Sequence, residues 1–102
     1  MRIEWSARAK TDLRDLQAYI SKDSPYYARR FVTKILASVG QLSDHPRIGR
    51  RVPEAARDDV RELIFQNYRI IYLVKSDCLF IVTVLHASRD LTRQDIEPWD
   101  VV

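Results

Sequence analysis

The sequence predicts an α+β domain: a small antiparallel sheet, made of an N-terminal strand and a C-terminal three-stranded meander, packed on an α-helical hairpin. Two stretches with helical apolar spacing lie close together in the first half, and three strand-like runs separated by two-residue turns fill the second. A chain of 102 residues supports one modest hydrophobic core, so residues 1–102 are read as a single domain.

Arg2 to Trp5 alternates as a short first strand, and Ser6 is placed to cap a helix whose apolar stripe is Ala9, Leu13, Leu16 and Ile20. The second helix has Ser24 as cap and Pro25 at its first position, then a stripe of Ala28, Phe31, Val32, Ile35, Leu36, Val39 and Leu42, ending near Asp44 ahead of Pro46. The short connection between the stripes predicts an antiparallel hairpin that buries both against each other and against a sheet. The segment His45 to Pro53 holds two of the four prolines and one of the two glycines and is the main irregular connection, with Glu54 to Asp59 able to add a helical turn. Strands follow at Val60–Phe65, Tyr68–Lys75 and Cys78–Ala87, joined by Gln66-Asn67 and Ser76-Asp77. Asp90 to Val102, with Leu91, Ile96 and Trp99, is expected to form a short helix or to lie across the body, Pro98 limiting its length.

Composition narrows the function classes. A hydrophobic share of 46% argues against disorder, and neither a signal segment nor an apolar run long enough to cross a bilayer is present, so a cytoplasmic, soluble protein without a membrane partner is expected. The single Cys78 excludes an intrachain disulfide, and two isolated histidines give no metal-ligand spacing, so neither metal nor cofactor is expected. The net charge of +3 is mild. Arg47, Arg50 and Arg51 share one stretch without an acid and suit phosphates, an acidic partner or plain solvation, so charge alone does not imply nucleic-acid binding.

Strand register sharpens the reading. With Ser76-Asp77 as a two-residue turn, Lys75 faces Cys78, and Leu73, Ile71 and Arg69 face Phe80, Val82 and Val84, leaving His86 diagonal to Arg69. Gln66-Asn67 treated the same way pairs Phe65 with Tyr68 and Ile64 with Arg69, and puts Glu62 on the face that Arg69 occupies. Glu62, Arg69 and His86 are thus expected to converge. The opposite face carries Leu63, Phe65, Tyr68, Ile70, Tyr72, Val74, Leu79, Ile81 and Leu85 toward the helices, with Arg61 at its rim. Around the trio stand Val60, Ile64, Ile71, Leu73, Phe80, Val82 and Val84, an apolar surface expected to await a second polypeptide or to be covered by the chain's own tail. Arg69 interrupts a run that otherwise reads as buried, and an ionised guanidinium persists there only if paired or solvated.

Taken in order, these segments resemble the RelE/ParE superfamily of toxins from bacterial type II toxin–antitoxin modules, in its ParE-like branch. The pieces that carry the resemblance are Ala9 with Asp12-Leu13, Pro46 with Gly49-Arg50, Arg61-Glu62-Leu63, Tyr68-Arg69-Ile70-Ile71-Tyr72, and Val84-Leu85-His86 followed by Arg89. The resemblance implies a small toxin neutralised by a cognate antitoxin, meeting operator DNA only through it. Two activities occur in the superfamily: inhibition of DNA gyrase, which blocks replication, and ribosome-dependent cleavage of mRNA. For cleavage, Glu62 is the candidate base, Arg61 and Arg69 the cations that stabilise the phosphorane, and His86 the acid. Nucleases of the superfamily commonly place a tyrosine or histidine after the last strand and gather several cations at the site; here no tyrosine follows Tyr72, and residues 87–93 supply only arginines. The resemblance therefore favours a gyrase-directed toxin. For contact with target or antitoxin the candidates are Arg50, Arg51, Arg61, Arg69, Ile71, Leu73, Phe80, Val82, His86, Arg89 and Arg93. A third reading, from outside the toxins, is an adaptor whose exposed sheet binds one protein.

Overall fold

The computed structural model describes residues 1–88 of the chain. Its elements run β1 (Arg2–Trp5), α1 (Ala7–Ser21), α2 (Pro25–Gly40), a single 3₁₀ turn (Gln41–Ser43), β2 (Arg50–Arg51), β3 (Val60–Phe65), β4 (Tyr68–Val74) and β5 (Cys78–His86). The strands form one five-stranded sheet in the order β1-β5-β4-β3-β2. The expected meander is present, but the sheet is mixed rather than wholly antiparallel, because β1 pairs parallel to β5, and β2 adds an edge within the stretch expected to be an irregular connection. Segment 54–59 forms turns rather than a helical turn, and the expected tail, with Arg89, Arg93 and Trp99, lies outside the described residues.

The helices begin where their caps dictate. Ser6 Oγ accepts from the Ala9 amide at 2.9 Å and Ser24 Oγ from the Tyr27 amide at 3.1 Å, each satisfying an amide that the first turn leaves without a partner. Ala9, Ala28, Phe31, Ile35 and Val39 are buried from the two helices and meet Ile70, Tyr72, Leu79, Ile81 and Val84 from the sheet. Phe31 is the aromatic centre of this layer, edge-on to Phe65 at 5.4 Å and to Tyr68 at 5.5 Å between ring centroids.

Between β3 and β4 the pairing is the expected one, Phe65 with Tyr68 and Ile64 with Arg69, closed by Gln66 at φ 51°. Between β4 and β5 it is not. Val74, Leu73 and Tyr72 face Leu79, Phe80 and Ile81, but Ile71 then faces Thr83, Ile70 faces Val84 and Arg69 faces Leu85. Val82 is the extra residue of a β-bulge; it keeps its expected place on the reverse face, and beyond it Val84, Leu85 and His86 are exchanged between faces. Val84 joins the helix-facing core and Leu85 the reverse face, the opposite of the expectation.

Helix α1 holds the bulge. Ser6 donates its hydroxyl to the Val82 carbonyl at 2.7 Å, the Val84 amide donates to Asp12 Oδ2 at 3.1 Å, and the Thr83 hydroxyl donates to the same carboxylate oxygen. A bulge leaves ladder groups without a strand partner. Here the helix cap and one helical carboxylate supply those partners, which gives Asp12 a physical role.

The reverse face is not open. Val60, Ile71, Leu73, Val82 and Leu85 are buried there, with Val52 buried among them and Ala55 and Phe80 packed alongside. The chain between β2 and β3 therefore contributes directly to covering it, and of the apolar residues expected in the open only Ile64 is strongly exposed.

Candidate functional site

Gly49 sets the geometry of the sheet edge next to the charged residues. A Cβ added there would stand 2.5 Å from the Glu62 carbonyl oxygen and 2.6 Å from the Tyr72 hydroxyl, so only glycine lets the backbone pass this close to β3 and β4. Its amide donates to the buried Tyr72 hydroxyl at 3.0 Å. Burial raises the Tyr72 pKa above the ordinary tyrosine range, the Gly49 hydrogen bond opposing it in part. Next along the chain, Arg50 pairs in register with Glu62.

From Arg50 a line of alternating charges runs into the protein. Arg50 Nε donates to Glu62 Oε2 at 2.6 Å, Arg69 Nε donates to Glu62 Oε1 at 2.5 Å, and the two terminal nitrogens of Arg69 reach Glu54 at 2.8 and 2.9 Å as a bidentate fork. The side chains of Glu62 and Arg69 are 0% and 5% exposed, whereas that of Arg50 is 61% exposed. Hydrogen bonding to Glu54, joined by that to Glu62, holds the Arg69 guanidinium above its ordinary pKa despite burial. Two cations and two anions thus cancel across the reverse face, as buried charges require.

Arg61 is engaged differently. It donates to the Asp58 carboxylate at 2.8 Å and to the Gly49 carbonyl at 3.0 Å, and Asp58 also takes Arg47 at 2.6 Å. Slight desolvation works against these two guanidiniums, which nonetheless hold the Asp58 carboxyl below the usual range. Arg61 therefore pins the segment before β2 to the turn before β3.

The predicted convergence holds for Glu62 and Arg69 and fails for His86. The Val82 bulge sets His86 opposite Tyr68, its ring edge-on to the tyrosine at 5.6 Å and its Nδ1 2.7 Å from Ser88 Oγ. Of the residues expected to offer a contact surface, Ile71, Leu73 and Val82 are buried within the chain, Phe80 is half-buried beneath Lys75, and Arg50 and Arg51 stand exposed on the edge strand. Arg89 and Arg93 lie outside the described residues. Glu54 was missed. The available signal was a carboxylate between Val52 and Ala55, flanking a strand that carries a cation in need of a partner.

Chemically, a carboxylate with both oxygens held by guanidiniums is poorly placed to take a proton from an external hydroxyl. Among the described residues no group of His, Cys, Asp and Glu could hold a metal ion, and no helix is long and apolar enough to cross a membrane.

Residues 3–91 match the family model described as the ParE toxin of the type II toxin–antitoxin system parDE. The chain belongs to the ParE toxin family. The toxin is 39% identical over 90 residues to the candidate toxin Y4kP of Sinorhizobium fredii, spanning 86% of this chain and 90% of that one. It is 30% identical over 87 residues to the toxin RelE2 of Caulobacter vibrioides, spanning 85% and 96%. In fold it is similar to a chain of the chromosomal ParDE toxin–antitoxin system of Pseudomonas aeruginosa, with a TM-score of 0.72, 22% identity and coverage of 86% and 97%. A chain of the RelBE2 toxin–antitoxin complex from Mycobacterium tuberculosis aligns with a TM-score of 0.58, 20% identity and coverage of 83% and 95%. The toxin thus has the α+β fold of the RelE/ParE superfamily and is the toxin of a type II toxin–antitoxin pair, with an antitoxin as its partner.

Proposed function

We propose that this toxin acts on DNA gyrase in the cytoplasm, trapping the enzyme on cleaved DNA and arresting replication, rather than cutting mRNA. The observation that carries this reading is the closed ion chain: Glu62 and Arg69 neutralise each other, Glu54 and Arg50 complete the pairing, and His86 stands apart beside Tyr68. A nuclease reading needs Glu62 as a free base and His86 within reach of the same phosphate. Family membership in the ParE branch points the same way.

The antitoxin is proposed to meet the toxin at exposed cations, Arg50 and Arg51 on the edge strand, and along a groove in which Trp5, Leu13, Val32 and Leu36 supply an apolar floor and Lys10 and Arg14 a basic rim. That chemistry fits an amphipathic segment with acidic flanks. Operator DNA is contacted through the antitoxin.

Two parallel assays decide between the targets. Toxin added to gyrase, ATP and supercoiled plasmid, followed by detergent and protease, should give linear DNA. Toxin added to translating ribosomes should leave the mRNA uncut by primer extension. Codon-positioned cuts with no linear plasmid would overturn the proposal.

A further inference from the structure

The turn of the helical hairpin gathers aromatic rings and cations in water. Tyr19 closes α1, and Tyr26 and Tyr27 open α2; they are 68%, 62% and 48% exposed, although tyrosines ordinarily bury most of the ring. Lys22 stands over the Tyr19 ring at 5.9 Å. The guanidinium of Arg30 stands over the Tyr26 ring, 5.7 Å from its centre, and donates to its hydroxyl at 3.1 Å, which restrains a ring that remains largely exposed.

Beside it, Tyr26, Arg29, Arg30, Thr33 and Lys34 line a shallow cavity of about 300 Å³. The α2 sequence contains three cations and no carboxylate, and among the described residues no ion pair engages Arg29, Arg30 or Lys34. Between β2 and β3 and just before them the cations are matched by acids, Arg47 and Arg61 by Asp58 and Arg57 by Asp59, whereas Arg8, Arg14 and Arg51, like the α2 cations, enter no ion pair among the described residues. What sets α2 apart is that its three cations share one helix with no carboxylate and stand beside the exposed rings. An unmatched cationic row beside restrained, exposed rings has a specific chemical complement: phosphates along the row, with an unpaired base against the ring.

We propose that the hairpin tip and the α2 face bind single-stranded nucleic acid, Arg29, Arg30 and Lys34 taking successive phosphates, the Thr33 hydroxyl donating to one of them, and Tyr26 stacking a base. Unpaired strand is favoured over duplex because the exposed rings offer stacking faces that a paired base cannot use, and over an acidic polypeptide because carboxylates alone gain nothing from those rings. The site lies on helix α2, apart from the ion chain on the reverse face of the sheet, and does not depend on the target proposed above.

The test is fluorescence anisotropy of the purified full chain with a fluorescein-labelled twelve-residue oligo(dT). Three phosphate contacts predict that log K falls with log salt with a slope of about −2, and Lys34→Ala should flatten that slope by roughly 0.7. Tyr26→Ala should weaken binding about fivefold or more with the slope unchanged, because it removes stacking and no charge. Arg2→Ala, which removes a cation outside the patch, should change affinity less than Lys34→Ala does. All of these positions are exposed, and circular dichroism verifies folding of each variant. Equal loss for Arg2→Ala and Lys34→Ala, or no effect of Tyr26→Ala, would overturn the site. Tighter binding of a twelve-base-pair duplex than of oligo(dT), or complete displacement of oligo(dT) by poly-glutamate at equal charge, would overturn the assignment to single strands in favour of duplex or of an acidic polypeptide.

Discussion

Replacing Arg69 with methionine should be among the most destabilising single changes in this protein. The guanidinium makes contacts of 2.5 Å to Glu62 and of 2.8 and 2.9 Å to Glu54, and the Glu62 side chain is 0% exposed. Methionine restores most of the aliphatic volume but leaves Glu62 buried with Arg50 as its remaining partner in the chain of charges, and Arg50 is mostly in water. Breaking a buried pair from one side costs about 3–5 kcal/mol, against a total stability of about 5–15 kcal/mol for a domain of this kind. At about 4–8 °C per kcal/mol for a chain of this length, Tm should fall by roughly 12 °C or more. Urea and thermal unfolding followed by circular dichroism measure both quantities. The triple variant Arg69→Met, Glu62→Leu, Glu54→Leu should recover much of the loss, since apolar groups of similar volume often replace a buried ion network at little cost. A loss below about 1 kcal/mol for Arg69→Met alone, the range of exposed ion pairs, would refute the view that this network is closed to solvent.

Three further outcomes follow from the same geometry. Gly49→Ala pushes a methyl group into the Glu62 carbonyl and the Tyr72 hydroxyl, so a loss of about 2–4 kcal/mol is expected in urea unfolding, from overpacking together with a weakened buried hydrogen bond. Asp12→Ala deprives Thr83 and Val84 of their shared acceptor at the bulge and should cost about 1–3 kcal/mol, with the amide of Val84 exchanging faster in hydrogen-exchange NMR. Tyr72, whose pKa burial raises above the ordinary 10.0, favours the folded state fully below that value. Its contribution is lost as pH climbs through the higher folded value, so spectrophotometric titration of the wild type against Tyr72→Phe should show Tyr72 ionising above the ordinary tyrosine value and together with alkaline unfolding, and Tyr72→Phe should move the alkaline transition to higher pH.

Much of the fold was legible because the signals are local. Ser6, Ser24 and Pro25 mark helix starts through hydrogen bonds and backbone angles that span three residues, and the stripes from Ala9 and Ala28 follow from helical periodicity alone. The Gln66-Asn67 turn fixed the pairing of Arg69 with Ile64 and brought Glu62 onto the face that Arg69 occupies, so half of the candidate site could be read before any coordinates. The ordered segments also carried the family resemblance, from Asp12-Leu13 to Val84-Leu85-His86.

Tertiary structure decided what those signals cannot reach. The Val82 bulge exists with Ser6 and Asp12 as its hydrogen-bond partners, residues 76 and 71 or 72 positions away along the chain, and no strand pattern in Cys78–His86 announces partners so distant. That one extra residue moved His86 away from Arg69 and exchanged Val84 with Leu85. The segment carrying Val52, Glu54 and Ala55 folded back over the sheet because Arg69 needed a second carboxylate and the apolar strands needed cover, a demand set by burial rather than by local propensity. Sequence by itself determined the two helices, four of the five strands and their order, because those signals are local; packing determined the edge strand at Arg50–Arg51 and which side of the last strand each residue faces, and hence which charges meet.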